Sequence, residues 1–229
     1  MPKIYLSPAA HGRDNPCGYD SACGENIHCN LYIDELEPYL LACGFAVKRN
    51  PKDRTGDRLK EAIAESNAWG ADLHYVAHTN AGGGAYSLLM VYDQGTAYGY
   101  AEKLAARRRE IYAGNVKIQV QPQWAELQQT VAPAIYDEMV FHDNVKEITW
   151  FHEHLREMAE ATAKAICDMF GAAFVDPYAK PAEPAPEPES GGDVWYRVQV
   201  GAFREKANAD RLCAELQEKG YSAYVKAGA

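Results

Sequence analysis

The sequence predicts an α/β fold with a mostly parallel central sheet, helices on both faces of that sheet, and a small βαβ module at the C-terminus. Strand-like apolar segments alternate with amphipathic helical segments along the first 170 residues. A stretch dominated by Pro, Ala and Glu then precedes a short strand, helix, strand pattern. We therefore predict a large domain over residues 1–175, an extended linker over 176–192 and a small unit over 193–229.

The predicted elements follow one another in a regular order. An apolar strand ends at Pro8, and the helix that follows is terminated by Gly44. The apolar positions expected on one side of that helix are Ile27, Leu31, Leu36, Leu40 and Leu41. Further strands and helices alternate in the order FAVKR, TGDRLKEAIAESNAWG, ADLHYVAHTNA, YSLLMVY, GTAYGYAEKLAARRREIY, VKIQVQ and PAIYDEMVF. One long amphipathic helix is expected from Val145 to Phe170, and sites in such a fold form beyond the carboxyl ends of the strands.

Charge and hydropathy exclude two classes of protein. The formal net charge of −9 disfavours nucleic-acid binding, because affinity for phosphate backbones comes from Lys and Arg displacing counterions. No apolar run approaches the roughly 18 residues that a membrane span needs. The opening MPKIYLSP lacks a charged segment followed by an apolar signal core, so the sequence predicts no signal peptide.

The cysteines allow two interpretations. They are scattered along the chain, at positions 17, 23, 29, 43, 167 and 213. A chain of this size does not depend on disulfides, so reduced thiols are favoured. The alternative is a structural zinc site built from Cys17, Cys23, Cys29 and His28, although their spacing lacks the short CxxC pattern that makes such a prediction specific.

Three polar residues stand where strands or helices meet loops: His11 in SPAAHGRD, Glu25 in ACGENIHCN and His78 in VAHTNAGGG. Two imidazoles and one carboxylate are a sufficient ligand set for catalytic zinc, which keeps its fourth position open. Each residue alone is as readily explained by a surface or core hydrogen bond. The other histidines are interpreted as structural or solvent-facing, namely His28, His74, His142, His152 and His154.

Several ordered motifs carry a family resemblance. They are SPAAHG, the helix start at Glu25, AESNAWGADL, AHTNA and PAIYDEMVFHDN. Together they resemble the zinc-dependent N-acetylmuramoyl-L-alanine amidases of the Amidase_3 family, over about residues 3–170. The resemblance implies one zinc ion per chain, held by His11, Glu25 and His78. It also implies that Glu138 is the catalytic acid and base, rather than Asp137, whose side chain would face the other side of the strand.

The sequence departs from the family pattern at two positions and leaves the substrate contacts tentative. Arg13 stands where the family has a second glycine after its first His, and Val140 stands where a glycine is usual. Asn80 is a candidate for contact with substrate near the metal. Arg54 and Arg58 are candidates for binding carboxylates of the stem peptide, as guanidinium groups do, although a solvated helix start is the simpler interpretation.

The C-terminal segment YRVQVGAFREKANADRLCAELQEKGYSAYV resembles the first repeat of a SPOR domain, a two-repeat fold that binds glycan strands stripped of peptides. One repeat leaves a sheet edge unpaired and a core half covered. We therefore expect either self-association of two chains through this tail or marginal order.

The resemblance predicts a peptidoglycan hydrolase that cleaves the amide between N-acetylmuramic acid and the L-alanine of the stem peptide. Without a signal peptide, the enzyme would be made in the cytoplasm and reach the wall after release, as a phage endolysin or as a sporulation autolysin freed by mother-cell lysis. Two alternatives remain open. One is an inactive peptidoglycan-binding adaptor, and the other is a zinc peptidase of similar fold, which would commonly use paired metals.

Overall fold

The computed structural model describes residues 1–11, 14–51, 58–179 and 198–226. The chain divides into two compact units, Met1–Lys180 and Pro181–Ala229. Most of the predicted linker, from residue 180 onward, lies outside the described residues. Its first residues pack on the larger unit, since the Arg156 guanidinium lies 4.3 Å from the centroid of the Tyr178 ring.

The larger unit is built on one six-stranded sheet in the order β2-β1-β3-β6-β4-β5. The strands are β1 Lys3–Pro8, β2 Ala46–Arg49, β3 Leu73–Asn80, β4 Tyr86–Val91, β5 Asn115–Val120 and β6 Ala134–Phe141. All neighbouring strands are parallel except β4 and β6, which are antiparallel. The predicted α/β fold with a mostly parallel sheet is confirmed. The reversal follows from the short loop between β3 and β4, because a parallel crossover needs a dozen residues or more.

The helices cover both faces of this sheet. The helices of the larger unit are α1 Glu25–Ala42, α2 Leu59–Trp69, α3 Thr96–Arg109, α4 Ala125–Gln129, α5 Val145–Glu153 and α6 Leu155–Phe170. The smaller unit contains α7 Lys206–Glu218. Helix α1 reaches one face, where the Tyr32 hydroxyl lies 3.1 Å from that of Tyr75 on β3. Helix α4 reaches the other, where Glu126 contacts His74 of β3. The sequence had not predicted α4.

The long helix predicted from Val145 to Phe170 is interrupted at His154, so this prediction is wrong in detail. His154 leaves the helical conformation, at φ −123° and ψ 24°. Its ring nitrogen Nδ1 lies 2.8 Å from the Trp150 carbonyl oxygen, and its ring stacks on that of Trp150. The His154 N–H still donates to the Trp150 carbonyl oxygen at 3.0 Å and also lies 3.2 Å from that of Phe151, so α5 ends in a tightened turn before α6 begins.

The buried face of α1 differs from the predicted one. Leu36 and Leu40 lie in the core, but Ile27, Leu31 and Leu41 are 49%, 43% and 54% exposed. The core positions of α1 are Cys29, Tyr32, Ile33, Leu36, Tyr39 and Leu40. These positions follow the spacing of three and four residues closely, and two of them are tyrosines. The predicted face is displaced around the helix because it was based on aliphatic side chains alone and left out the buried Tyr32 and Tyr39.

Within the described part of the smaller unit, the structure assigns one element, helix α7. Helix α7 has no buried residue, and within residues 198–226 the segments on either side of it are not paired as strands. A single strand, helix, strand repeat offers too few strands to complete a sheet, which accounts for this difference from the predicted βαβ arrangement. Within the described parts of both units, every helix is too short or too polar to cross a membrane.

Candidate functional site

His11, Glu25 and His78 meet at one end of the sheet. His11 follows β1, His78 lies near the end of the adjacent parallel strand β3, and Glu25 is the first residue of α1. Glu25 Oε2 lies 3.1 Å from His11 Nε2, and Glu25 Oε1 lies 2.9 Å from His78 Nδ1. One possible ligand atom from each residue lies within 4.8 Å of the other two. The carboxyl ends of neighbouring parallel strands meet at one sheet edge, which is why residues so distant in sequence converge.

The carboxylate of Glu25 is buried and strongly oriented. Asn15 Nδ2 donates to Oε2 at 2.7 Å, and the Thr79 backbone N–H donates to Oε1 at 3.2 Å. Burial raises the pKa of Glu25, but hydrogen bonds from His11 and His78 outweigh it and hold the pKa well below the usual range. Glu25 therefore stays ionised at neutral pH, as a metal ligand must be.

Glu138 lies beside this group on β6. It is paired in register with His78 on the neighbouring strand, so the two side chains leave the same face of the sheet. Its Oε2 is buried and has no hydrogen-bond partner among the residues that the structure describes. Burial, together with the charges of Glu25 and Asp137, raises the pKa of Glu138 to about 8. This carboxyl group therefore exchanges its proton near neutral pH.

Asp137 faces the other side of the sheet, as strand alternation requires. Its oxygens accept from Arg108 Nη1 at 2.8 Å and Nη2 at 2.6 Å, and from the Tyr75 hydroxyl at 2.6 Å. Both Asp137 and Arg108 are almost wholly buried. Asp137 is thus held in a structural ion pair, and Glu138 is the acid on the metal-ligand side.

A cavity of about 290 Å³ opens beside the imidazoles of His11 and His78. Its wall is partly aromatic, because the Tyr136 ring lies 4.6 Å from that of His78 and 4.5 Å from that of Trp124. The other lining residues are Ser7, Pro8, Ala10, Asn50, Leu59, Ala62, Ala125 and Glu126. Trp124 and Glu126 were missed from the sequence because they lie on or beside the short helix α4, which no periodicity had indicated.

The structure describes two of the three tentative substrate residues, Arg58 and Asn80. Arg54 is outside the described residues. Arg58 donates to the Glu61 carboxylate at 2.9 Å on an exposed helix start, while its neighbour Leu59 lines the cavity. Asn80 accepts the Ala81 N–H with its side chain and the His142 N–H with its carbonyl. Neither Arg58 nor Asn80 is among the residues that line the cavity.

The glycines after His78 form a loop that is hydrogen-bonded to Asp143, just after the end of β6. Gly82 and Gly83 adopt positive φ, and their N–H groups donate to the Asp143 carboxylate. A Cβ atom on Gly84 would overlap the Phe141 ring. These contacts join the loop after β3 to the residues at and after the end of β6.

A second group of potential ligands includes His28, which follows Glu25 by three residues on α1 and, like Glu25, contacts Thr79. Cys17 and Cys23 are joined by a disulfide, which corrects the expectation of reduced thiols for this pair. Cys23 Sγ lies 3.3 Å from His28 Nδ1 and 3.4 Å from His152 Nε2. Cys29, expected to join such a cluster, is instead buried in the core, and His152 from α5 is the fourth member. Cys23 and His152 are 129 residues apart in the sequence, so the spacing of the cysteines could not predict this contact.

Comparison with known proteins supports the resemblance that the motifs carry. The chain is 29% identical over 182 residues to the N-acetylmuramoyl-L-alanine amidase CwlM of Bacillus licheniformis, covering 75% of this chain and 64% of that protein. It therefore spans just under two thirds of the length of this relative. It is 25% identical over 232 residues to a sporulation-specific N-acetylmuramoyl-L-alanine amidase of Bacillus subtilis strain 168, covering 98% of this chain and 84% of the other.

The fold agrees with this similarity. The catalytic domain of CwlV, an N-acetylmuramoyl-L-alanine amidase from Bacillus (Paenibacillus) polymyxa, superposes with a TM-score of 0.66 at 15% identity, over 76% of this chain and all of that domain. The SPOR domain family matches residues 160–227, so the match begins within α6 of the larger unit, well before the predicted start at residue 193. The chain is thus similar in sequence and in fold to N-acetylmuramoyl-L-alanine amidases and ends in a SPOR domain match.

Proposed function

We propose that this protein is a peptidoglycan hydrolase that cleaves the amide bond between N-acetylmuramic acid and the L-alanine of the stem peptide. The observation that carries the proposal is the placement of Glu138, a buried acid with an unpaired oxygen, in register with His78 beside the His11, Glu25 and His78 group. The amidase names of the sequence relatives indicate the bond. A cleft beside the group gives room for a substrate chain.

We further propose that His11, Glu25 and His78 hold one zinc ion. The donor set fits, because two imidazoles and one carboxylate leave the fourth position of a tetrahedral ion open. The geometry fits as well, since Glu25 already approaches both rings within about 3 Å. Asn15 and the Thr79 backbone donate hydrogen bonds that orient the Glu25 carboxylate, as partners of metal ligands commonly do. When bound, the ion supplies Lewis-acid polarisation of the scissile carbonyl and activation of water.

Glu138 is proposed to move the protons of the reaction. With a pKa near 8, its carboxylate form can accept a proton from the attacking water. The carboxylic acid so formed then delivers that proton to the departing amine of L-alanine. Burial favours the first step, since the neutral acid is the form that a poorly hydrated pocket stabilises, and the basic amine nitrogen of the leaving group drives the second.

Trp124 and Tyr136 are proposed to bind substrate along the cleft. Aromatic faces pack against the apolar faces of sugar rings and peptide methyl groups. Glu126 lines the same cavity, where its carboxylate also contacts His74. The anchored position of this acid suits recognition of an amide or amine on the stem peptide better than proton transfer.

The C-terminal unit is proposed to hold the enzyme on peptidoglycan through glycan strands. The SPOR domain match over residues 160–227 supports this role. We place the folded repeat within residues 193–229, after a linker at 176–192, and propose that two chains associate through it. No α7 residue is fully buried, and the half-buried Leu212 and Leu216 keep apolar surface available to a second chain, which supports this.

The function is tested on purified peptidoglycan, with turbidity and chemical labelling of the products. We expect zinc-dependent clearing, loss of activity with EDTA, and new amino termini that are all L-alanine. Glu138→Gln should abolish clearing, while Glu102→Gln, an exposed acid on α3, should not. Release of reducing sugars would indicate glycan cleavage, and amino termini other than L-alanine would indicate a peptidase. Tight binding with no product from the wild-type chain would indicate an adaptor.

A further inference from the structure

We propose that Cys17, Cys23, His28 and His152 form a second, structural zinc site, which the chain fills when the Cys17–Cys23 pair is reduced. One possible ligand atom from each of the four residues lies within 4.8 Å of the other three. Two thiolates and two imidazoles are a complete ligand set for structural zinc. The inference does not depend on the proposed hydrolase activity.

The distances around Cys23 match those of a tetrahedral zinc site. With Zn–S near 2.3 Å and Zn–N near 2.0 Å, a sulfur and a nitrogen bound to one ion are about 3.5 Å apart. Cys23 Sγ lies 3.3 Å from His28 Nδ1 and 3.4 Å from His152 Nε2. Two sulfurs on one ion are about 3.8 Å apart, and the Cα separation of 5.5 Å between Cys17 and Cys23 accommodates that spacing by side-chain rotation.

Both imidazoles are held in the orientation that binding requires. His28 is fully buried, and its Nε2 lies 2.6 Å from the Thr79 hydroxyl oxygen. When Nε2–H donates to Thr79, Nδ1 keeps its lone pair facing Cys23, which is the outer hydrogen bond expected of a histidine ligand. The His152 ring is stacked on Tyr19 with the ring centroids 4.1 Å apart. A disulfide alone needs neither imidazole, so their convergence on Cys23 is the feature that zinc explains.

The Cys17–Cys23 disulfide must be reduced before these two residues can bind zinc. A dithiol reductant transfers two electrons and two protons to the Cys17–Cys23 bond, giving two thiols and the oxidised, cyclic disulfide of the reductant. Zinc binding then releases both protons to solvent, because the metal binds thiolates. Oxidation of the pair requires loss of the ion, so the disulfide and the zinc-bound form exclude one another.

The site would fasten the loop that supports the first group of ligands. Cys17 and Cys23 lie in the loop before α1, His28 lies on α1, and His152 lies on α5. The same loop carries Asn15, which bonds Glu25, and Thr79 contacts both His28 and Glu25. Joining three separate segments stabilises the folded state, since the ion binds the assembled ligands and not the open chain.

The test is cobalt substitution of the full chain, with metal content measured in parallel. In dithiol reductant we expect two metal ions per chain and a thiolate-to-cobalt charge-transfer band, which the His and Glu ligands of the first site do not produce. Without reductant we expect one ion and no such band. If only the first site fails to bind metal, one ion and the band remain, so failure of the proposed function and failure of this inference are distinguishable.

Single substitutions test which residues bind the second metal ion. Cys17→Ser and His152→Asn should each lose the band and one metal ion, and the single remaining ion should stay bound. Cys213→Ser, a matched change of a free cysteine in the smaller unit, should retain both ions and the band. A reduced wild-type chain with no thiolate band, or a band that persists in both Cys17→Ser and His152→Asn, would overturn the assignment.

Discussion

Asp137 and Glu138 are neighbouring acids on β6 that lie in opposite environments. Asp137 points to the face covered by α1 and α3, where it accepts hydrogen bonds from Arg108 and Tyr75. Glu138 lies on the opposite face, the face of His78, where its Oε2 has no hydrogen-bond partner within the described ranges of the chain. Both are buried, at 0% and 7% exposure. Burial alone therefore does not decide the behaviour of an acid; the presence of a compensating cation does.

The physical reason is the cost of an unpaired charge in a poorly hydrated place. A bidentate guanidinium compensates the Asp137 carboxylate, so that acid is stable as an anion and inert. Among the described residues no Lys or Arg is paired with Glu138, and the negative charges of Glu25 and Asp137 add to burial in raising its pKa. One strand thus carries a structural acid and a reactive acid at adjacent positions.

The largest expected effect is on catalysis by Glu138→Gln. The amide has nearly the same shape and cannot exchange the proton, so we expect hydrolysis of peptidoglycan to fall about 10²- to 10⁴-fold. The melting temperature of the metal-free variant should be equal to or above that of wild type, because an uncompensated buried acid is removed. Initial rates and thermal melts test both halves. A variant within a few-fold of wild-type activity would contradict the assigned role.

The next effect is on stability, on the other face of β6. Arg108→Met should destabilise the larger unit by about 3 to 5 kcal/mol, because the buried Asp137 carboxylate loses its cation. The double variant Arg108→Met, Asp137→Leu should regain part of this loss, because no buried charge then remains unpaired. Urea unfolding followed by circular dichroism measures both. A loss under about 1 kcal/mol in the single variant would mean that water replaces the guanidinium.

A third prediction concerns the pH dependence of stability in the metal-free protein. The pKa of Glu138 rises from 4.5 to about 8 on folding. Between these values the folded chain holds a proton that the unfolded chain has lost, so stability falls as pH rises, with a limiting slope of roughly 1.4 kcal/mol per pH unit. We expect wild type to lose roughly 3 to 4 kcal/mol relative to Glu138→Gln between pH 5 and pH 8 in EDTA. Parallel pH profiles of the two proteins would count against the raised pKa.

The sequence indicated the fold through its alternating periodicity, and the structure differs where periodicity carries no information. The antiparallel placement of β4 beside β6 depends on sheet order, which strand patterns do not encode. The interruption at His154 is confined to the backbone of one residue, which leaves the helical conformation directly before α6 begins. The displaced core face of α1 reflects buried tyrosines, whose hydroxyls find partners such as Thr162 inside the molecule.

For the candidate site, predictability depended on motif context. The sequence placed His11, Glu25, His78 and Glu138 through ordered motifs, and strand alternation separated Glu138 from Asp137 in advance. It offered no means of finding Arg108, whose contact with Asp137 spans 29 residues between a helix and a strand. Nothing local marks His152 as a neighbour of Cys23 either. Contacts between separate elements follow from packing, which a single sequence does not reveal.

The smallest expected effect concerns the hydrogen bond from Tyr75 to Asp137. Tyr75→Phe removes one donor from Asp137 and leaves both Arg108 hydrogen bonds, so we expect a stability loss of about 1 to 2 kcal/mol. Peptidoglycan hydrolysis should not change, because Tyr75 lies on the face away from the cleft. Tyr136→Phe is the matched change on the cleft face of β6, and it should alter stability by less than about 0.5 kcal/mol while changing the KM for peptidoglycan fragments. If Tyr75→Phe reduced kcat at unchanged stability, the two faces of β6 would be coupled, and Asp137 would have to be counted as a positioning residue for Glu138.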